Sequence, residues 1–244
     1  MFYRAFVTAL AMASVSIAAP TPVAVAEAAP ENFVSRAAAY TLFTGDGSNW
    51  PSSSAWTDFD TMWADNQAVM TTSCNQFGQA NNSPTEIADI HNAIINTAGA
   101  SGVDARLILA VVMQESGGCV RVPTSFGGVI NPGLMQDHNG PNSCNSHGWV
   151  QNPCPAVIIT GMIEDGTMGT ASGDGLRQCI WQSGEGDARA AYVASRIYNT
   201  GSYMRGTDLG APQWGTGCYA SDIANRLLGW AAPATPCTLG KPWH

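Results

Sequence analysis

The chain has 244 residues, 45% hydrophobic and only 11% charged, with 26 Gly and 14 Pro. That is enough apolar content for one substantial core, and it excludes a disordered chain or a short-period repeat array. Ten Lys and Arg against 18 Asp and Glu give a formal charge of -8. Nucleic acid and an anionic membrane surface both need clustered positive charge, so neither is an expected partner.

The N-terminus reads as an export signal. Arg4 supplies the positive start, and Ala5 to Ala19 is an uncharged apolar run too short to span a bilayer comfortably. Small residues at Ser16 and Ala18 suit cleavage after Ala18. A signal peptide over 1–18 and a secreted, extracellular mature chain are therefore expected. Cysteine usage agrees, because all seven cysteines (74, 119, 144, 154, 179, 218 and 237) lie beyond that signal. In an exported chain they read as three disulfides and one free thiol. Cys144 and Cys154 bracket a Pro/Asn/Gly-rich loop and form the best local pair. No Cys-x-x-Cys pair and no His-Glu-x-x-His spacing occurs, so no metal is expected. No phosphate-loop or dinucleotide fingerprint occurs either, so no cofactor is expected.

Residues 19–53 are Ala- and Pro-rich and then weakly apolar, and read as a loosely ordered leader. A helical extension over 54–82 follows, with Phe59, Met62, Trp63 and Met70 at spacings of three, four and seven. Ser83-Pro84-Thr85-Glu86 is a capping box with proline at the first helical position. Behind it Ile87, Ile90, Ile94 and Ile95 give one apolar stripe. Asp104 can cap a third helix, Ala105 to about Ser116. Its Leu107–Met113 stretch is apolar on every side, which predicts a central, buried helix. Residues 120–155 hold turn formers around short extended pieces. Helical signals return over 156–162, 187–198 and 221–230. The expected fold is mainly α (α+β), one disulfide-stabilised domain over 83–244 with a small β or irregular lobe.

Glu115 is the strongest candidate for chemistry. It ends the most hydrophobic helix, where burial and the negative end of the helix dipole both keep a carboxyl protonated. A general acid needs that state. Glu115-Ser116, then Gly133-Leu134-Met135-Gln136, then Tyr198-Asn199-Thr200-Gly201, then Tyr219 follow in order. This series resembles the catalytic domain of soluble lytic transglycosylases and goose-type lysozymes, glycoside hydrolase family 23, over roughly residues 83–230. The resemblance implies a lysozyme-like fold and cleavage of β-1,4 bonds in an N-acetylhexosamine polymer, peptidoglycan first and chitin or chitosan as the alternative.

Residue by residue, the resemblance makes Glu115 the acid. Ser116 would hold the helix end and the carboxyl, and Gly133 would keep the cleft floor open. Met135 would lie beneath a sugar ring, and Gln136 would read hydroxyls or the N-acetyl group. Tyr198 and Asn199 would line the same subsite, and Tyr219 would approach the acid. Asp137 is the candidate second carboxylate, one position out of the goose-type register. In an extended segment that shift would turn its side chain away. Lytic transglycosylases need no base, because the muramic acid C6 hydroxyl itself closes onto C1. Hydrolysis is the leading expectation and transglycosylation stays open. Glu164 and Asp165 read as solvated. Trp149, Trp181 and Trp214 fall in polar loops where indoles could stack on sugars, whereas Trp56, Trp63 and Trp230 fall on helical stripes. A monomer whose only partner is a polysaccharide is expected, and an inactive carbohydrate-binding protein is the competing class.

Overall fold

The computed structural model describes residues 38–239, which fall in one compact unit. The expected signal peptide and residues 19–37 of the leader lie outside the described residues. Among the described residues seven α-helices run in chain order: α1 (Phe59–Met70), α2 (Pro84–Ser101), α3 (Ala105–Glu115), α4 (Ala156–Met168), α5 (Leu176–Ser183), α6 (Asp187–Thr200) and α7 (Tyr219–Leu227). Between α3 and α4 lie two antiparallel hairpins, β1 (Ser125–Phe126) with β2 (Ile130–Asn131) and β3 (Asn145–Ser146) with β4 (Trp149–Val150). The fold is mainly α with a small β lobe.

Helix α3 is the centre because its sequence offers no polar face. Leu107 through Met113 are all buried, and α1, α2, α4 and α7 pack around it. Asp104 caps its start by accepting from Arg106 N–H. At its end the Ser116 hydroxyl donates to the carbonyls of Val112 and Leu134, at 3.0 and 2.8 Å. That hydroxyl therefore fastens the helix end to the Gly133–Gln136 segment. The capping box of α2 forms as expected, with Ser83 and Glu86 bonded reciprocally. Ile95, however, is exposed, and Ala93 completes the buried stripe with Ile87, Ile90 and Ile94.

Two expectations need correction. The leader is not loosely held over 40–53. Thr41 N–H donates to Asn225 (2.8 Å), Tyr40 donates to Asp222 (2.6 Å), and Asp46 pairs with Arg189 (2.8 Å). The weak hydropathy of this segment reflects polar anchoring on α6 and α7. Helix α5 was missed, because the glycines of 169–175 mask its start. There Gln178 Oε1 accepts from Gly175 N–H and stands in for a capping side chain.

Three disulfides join Cys74 to Cys119, Cys144 to Cys154 and Cys218 to Cys237, leaving Cys179 free and buried. The first ties a 3-10 turn (Ser73–Phe77) to the segment just after α3. Reduction should destabilise the fold by roughly 2 to 4 kcal/mol per bridge, read from urea midpoints with and without reductant. Burial pushes the Cys179 thiol up to about 12, with Asp174 adding to it. Alkylation should therefore spare the native protein and add one group after unfolding without reductant. More than one free thiol would contradict this disulfide set. Among the described residues no helix is long and apolar enough to cross a membrane.

Candidate active site

The end of α3, the β lobe, the 170–174 loop, the end of α6 and the loop at Trp214 enclose a cleft of about 1100 Å³. Glu115, Gln136, Asp137, Tyr198, Asn199 and Trp214 all line it. Residues up to 99 positions apart from Glu115 in sequence are thus brought to one surface, by α6 and α7 packing against each other beside α3.

Glu115 sits half-buried on the floor. Its Oε1 accepts a hydrogen bond from the Tyr219 hydroxyl, presented by the first turn of α7. Desolvation raises the Glu115 carboxyl to about 7, and the Tyr219 bond only partly opposes it. Tyr198 is held differently. Its hydroxyl donates to the Met135 carbonyl at 2.8 Å, so this tyrosine braces the Gly133–Gln136 segment against α6.

That segment is not extended, which corrects the alternation argument applied to Asp137. Gln136 N–H donates to Gly133 O (3.0 Å) and Asp137 N–H to Pro132 O (3.1 Å), so the chain turns tightly here. Gln136 itself has φ +45, in the left-handed region that costs a non-glycine residue energy. Side chains 136 and 137 consequently both line the cleft. Gln136 Nε2 is engaged with the Gly133 carbonyl at 3.1 Å, which leaves its Oε1 as the group offered to the cavity.

Asp137 is almost fully buried (3% exposed), and neither carboxylate oxygen has a hydrogen-bond partner of good geometry. Burial first and the nearby Asp165 second raise it to about 7, with the N–H groups of Gly140 and of Asp137 itself offsetting only part. Asp165 was read as solvated, and that is wrong. It is half-buried on α4, accepts from Asn142 Nδ2 at 2.8 Å, and is raised by desolvation. Both carboxylates converge on Gly140, where a Cβ would stand 2.1 Å from Asp137 Oδ1 and 2.8 Å from Asp165 Oδ2. The signal was present in the sequence. Asp165 follows the buried Met162 by three positions and precedes the buried Gly166, so it lies on the inward face. Glu164 is exposed, as expected.

Other expected roles change. Met135 is fully buried, with Gly166 packed against it and Thr167 donating to its sulfur, so it is core and touches no cavity. Gly133 (φ +73) is required by the turn and by Met162, which a Cβ would approach to 2.7 Å, not by space for a sugar. Ser116 holds the helix end, as described, but makes no bond to the Glu115 carboxyl. The Asn199 Oδ1 accepts from Arg196 Nη1 and Thr216 N–H, both at 2.9 Å, leaving only its Nδ2 for a ligand. The buried Arg196 was not singled out from sequence. It also binds the carbonyls of Leu209, Thr216 and Gly217, and so fixes the loop that carries Trp214. Of the three exposed tryptophans only Trp214 faces the cleft. Trp149 lies on β4, and Trp181 lies on α5 rather than in a loop. Trp63 is buried on α1 as its helical stripe implies, whereas Trp56 (half-buried) precedes α1 and Trp230 (buried) follows the end of α7, so neither lies on a helical stripe.

Among the described residues no group of three or more His, Cys, Asp or Glu is placed to hold a metal ion. Comparison with family models, curated proteins and solved structures returned no significant match, so the site stands on its own geometry.

Proposed function

We propose that this protein is a secreted glycosidase cleaving β-1,4 bonds of an N-acetylhexosamine polymer, peptidoglycan first, with Glu115 as general acid. The observation that carries this reading is the Glu115–Tyr219 pair on the floor of a polymer-sized cleft, with Glu115 raised to about 7. Tyr219 occupies Oε1, so Oε2 is the oxygen left to carry the proton to a glycosidic oxygen. The ordered motifs that resemble family 23 enzymes support the same assignment. Three disulfides support an oxidising, extracellular setting. A pure binding protein would gain nothing from a desolvated carboxyl, which favours the enzyme over the binder. The acidic balance of the chain favours neutral or cationic chitin-like polymers on electrostatics alone, so both substrates belong in the test. Clearing of bacterial walls should exceed release of chitin oligomers. Failure on both, with oligomer binding retained, would leave a carbohydrate-binding protein.

The second carboxylate separates two reactions. In hydrolysis by inversion Asp137 must be ionised to activate water. Glu115 must be protonated while Asp137 is not, and both are raised to about 7, so activity would peak narrowly near neutrality and fall on both sides. The burial of Asp137 beside Asp165 favours a protonated Asp137, and with it attack by the substrate's own C6 hydroxyl. Activity would then stay high below pH 7 and fall only on the alkaline side, as Glu115 loses its proton. Hydrolysis remains the first reading, because an acid stands beside Gln136 in the cleft wall. Asp137→Asn should therefore lose most activity, and a nearly silent variant would assign the transglycosylase route. Tyr219→Phe removes a bond that favours the Glu115 carboxylate. It should move the alkaline limb to higher pH, and an unmoved limb would separate Tyr219 from the acid.

A further inference from the structure

The β lobe presents a second face that the cleft does not use. Along the β1–β2 hairpin residues alternate between two sides, as strand geometry requires. Gly127, Val129 and Asn131 line the large cleft, whereas Phe126 and Ile130, partners across the hairpin, line a separate groove of about 430 Å³. Ser125 borders both. One hairpin is therefore the partition between cleft and groove.

The groove is held in shape by its own backbone. Thr124 joins the two hairpins, its N–H (3.1 Å) and its hydroxyl (2.9 Å) both donating to the Asn145 carbonyl. Asn145 Nδ2 donates to the Arg121 carbonyl at 2.9 Å, which ties this lining residue to the buried Arg121–Glu86 pair. The Cys144–Cys154 disulfide anchors the start of β3.

Phe126 is 78% exposed here and Ile130 40%, so neither serves the core. Large apolar side chains grouped on a surface mark a contact site. Around them stand the Gln79 amide, the Thr124 hydroxyl and the His147 imidazole. Among the described residues no Lys, Arg, Asp or Glu lines the groove, on a chain whose formal charge is -8. An aromatic face among uncharged hydroxyl and amide groups matches a sugar, whose C–H face packs on the ring while its hydroxyls and acetamido group find partners. We infer that this groove is a second polysaccharide-binding site, holding a stretch of the β-1,4 N-acetylhexosamine polymer outside the cleft that contains Glu115. Polymer held on one side of the hairpin raises the effective concentration of polymer at the other, which keeps the protein on an insoluble, many-stranded substrate. Trp149, 77% exposed on β4, gives the same lobe a further aromatic outside the cleft. The inference rests on the glycosidase reading for the identity of the polymer, not for the role of Glu115.

Phe126→Ala tests it, with Phe126→Trp as the conservative variant that keeps a ring face. The exposure of Phe126 means that its removal opens no core cavity. Each is compared with wild type in two measurements. One is cosedimentation with purified insoluble peptidoglycan and with chitin particles, every protein then carrying Glu115→Gln so that nothing is cut. The other is cleavage of a soluble N-acetylglucosamine hexamer by the same proteins with Glu115 intact. Phe126→Ala should bind the particles about 10-fold more weakly and Phe126→Trp should bind like wild type, with kcat/KM on the hexamer within about 2-fold in both. Unchanged sedimentation of Phe126→Ala overturns the site while leaving the glycosidase standing. An equal loss on the hexamer also overturns it, because Phe126 would then act through the cleft. A wild-type dimer that Phe126→Ala dissociates, with sedimentation unchanged, assigns the face to a second copy of the chain instead. Sedimentation that depends on Phe126 in a protein that cleaves neither polymer removes the glycosidase reading and keeps the binding site.

Discussion

Glu115→Gln should fold normally and lose on the order of 10²- to 10⁴-fold in cleavage rate, because an amide keeps the shape of the acid and has no proton to give. The same substitution should stabilise the protein at neutral pH. In the folded state the Glu115 carboxyl is raised from 4.5 to about 7, chiefly by desolvation. Between those two values the folded state holds a proton that the unfolded state has released, so stability falls as pH rises through that window. Glutamine abolishes that penalty, which is worth roughly 1 to 3 kcal/mol. Urea midpoints at pH 4 and pH 8 should show variant and wild type close together at pH 4 and the variant ahead at pH 8. A variant with wild-type turnover would remove Glu115 from the chemistry. A variant less stable at pH 8 would mean that its carboxyl is not desolvated.

The largest expected loss of stability lies away from the cleft. Arg121 and Glu86 form a fully buried pair, with Nη1 at 2.5 Å and Nη2 at 3.1 Å from the carboxylate. Arg121 also donates to the carbonyls of Ala80 (2.9 Å) and Asn81 (2.7 Å), while Glu86 accepts from Ser83 N–H and Cys154 N–H, both at 2.7 Å. One ion pair thus fastens α2, the 80–82 turn and the Cys144–Cys154 loop together. Glu86→Ala leaves the Arg121 charge buried with carbonyl partners only, and should cost about 3 to 5 kcal/mol. Burial alone would raise Glu86, but Arg121 and the two backbone donors outweigh it and hold the carboxyl at about 2. Its contribution is therefore present above about 4.5 and is lost as pH falls toward 2. Wild type should lose stability steeply across that interval, and Glu86→Ala, already lacking the pair, should lose less. A cost below 1 kcal/mol in Glu86→Ala would show that the pair is dispensable.

The sequence shows the helices wherever the apolar pattern is uninterrupted. α3 is announced locally by a capping Asp104, an 11-residue length and a Gly117-Gly118 stop around its apolar run, which favour a buried helix over a buried strand. α5 has the opposite character. Its start is capped by its own Gln178, and its outer face carries Trp181 at 83% exposure, so neither punctuation nor stripe announces it. The site was legible for Glu115, because desolvation follows from helix position and hydropathy, both local. It was half legible at Gly133–Asp137. Residue types gave the segment, but the left-handed Gln136 sets which way the side chains point, and no pattern of period two can report that. Roles carried by analogy were least secure for small and apolar residues. Met135 and Gly133 serve packing here, and only their surroundings show it. The long-range disulfide was invisible too, since Cys74 and Cys119 lie 45 residues apart and spacing does not determine their pairing.

The most direct test of the central claim is mass spectrometry of purified peptidoglycan digested by the wild-type protein. Cleavage at Glu115 predicts soluble disaccharide-peptides cut at the β-1,4 bond, absent from a parallel digest with Glu115→Gln. Reducing ends, each carrying one added water, are the expected form, and 1,6-anhydro ends would move the account to the substrate's own hydroxyl while leaving Glu115 as acid. Release of peptides from uncut sugar chains, or the same sugar products from Glu115→Gln, would contradict it.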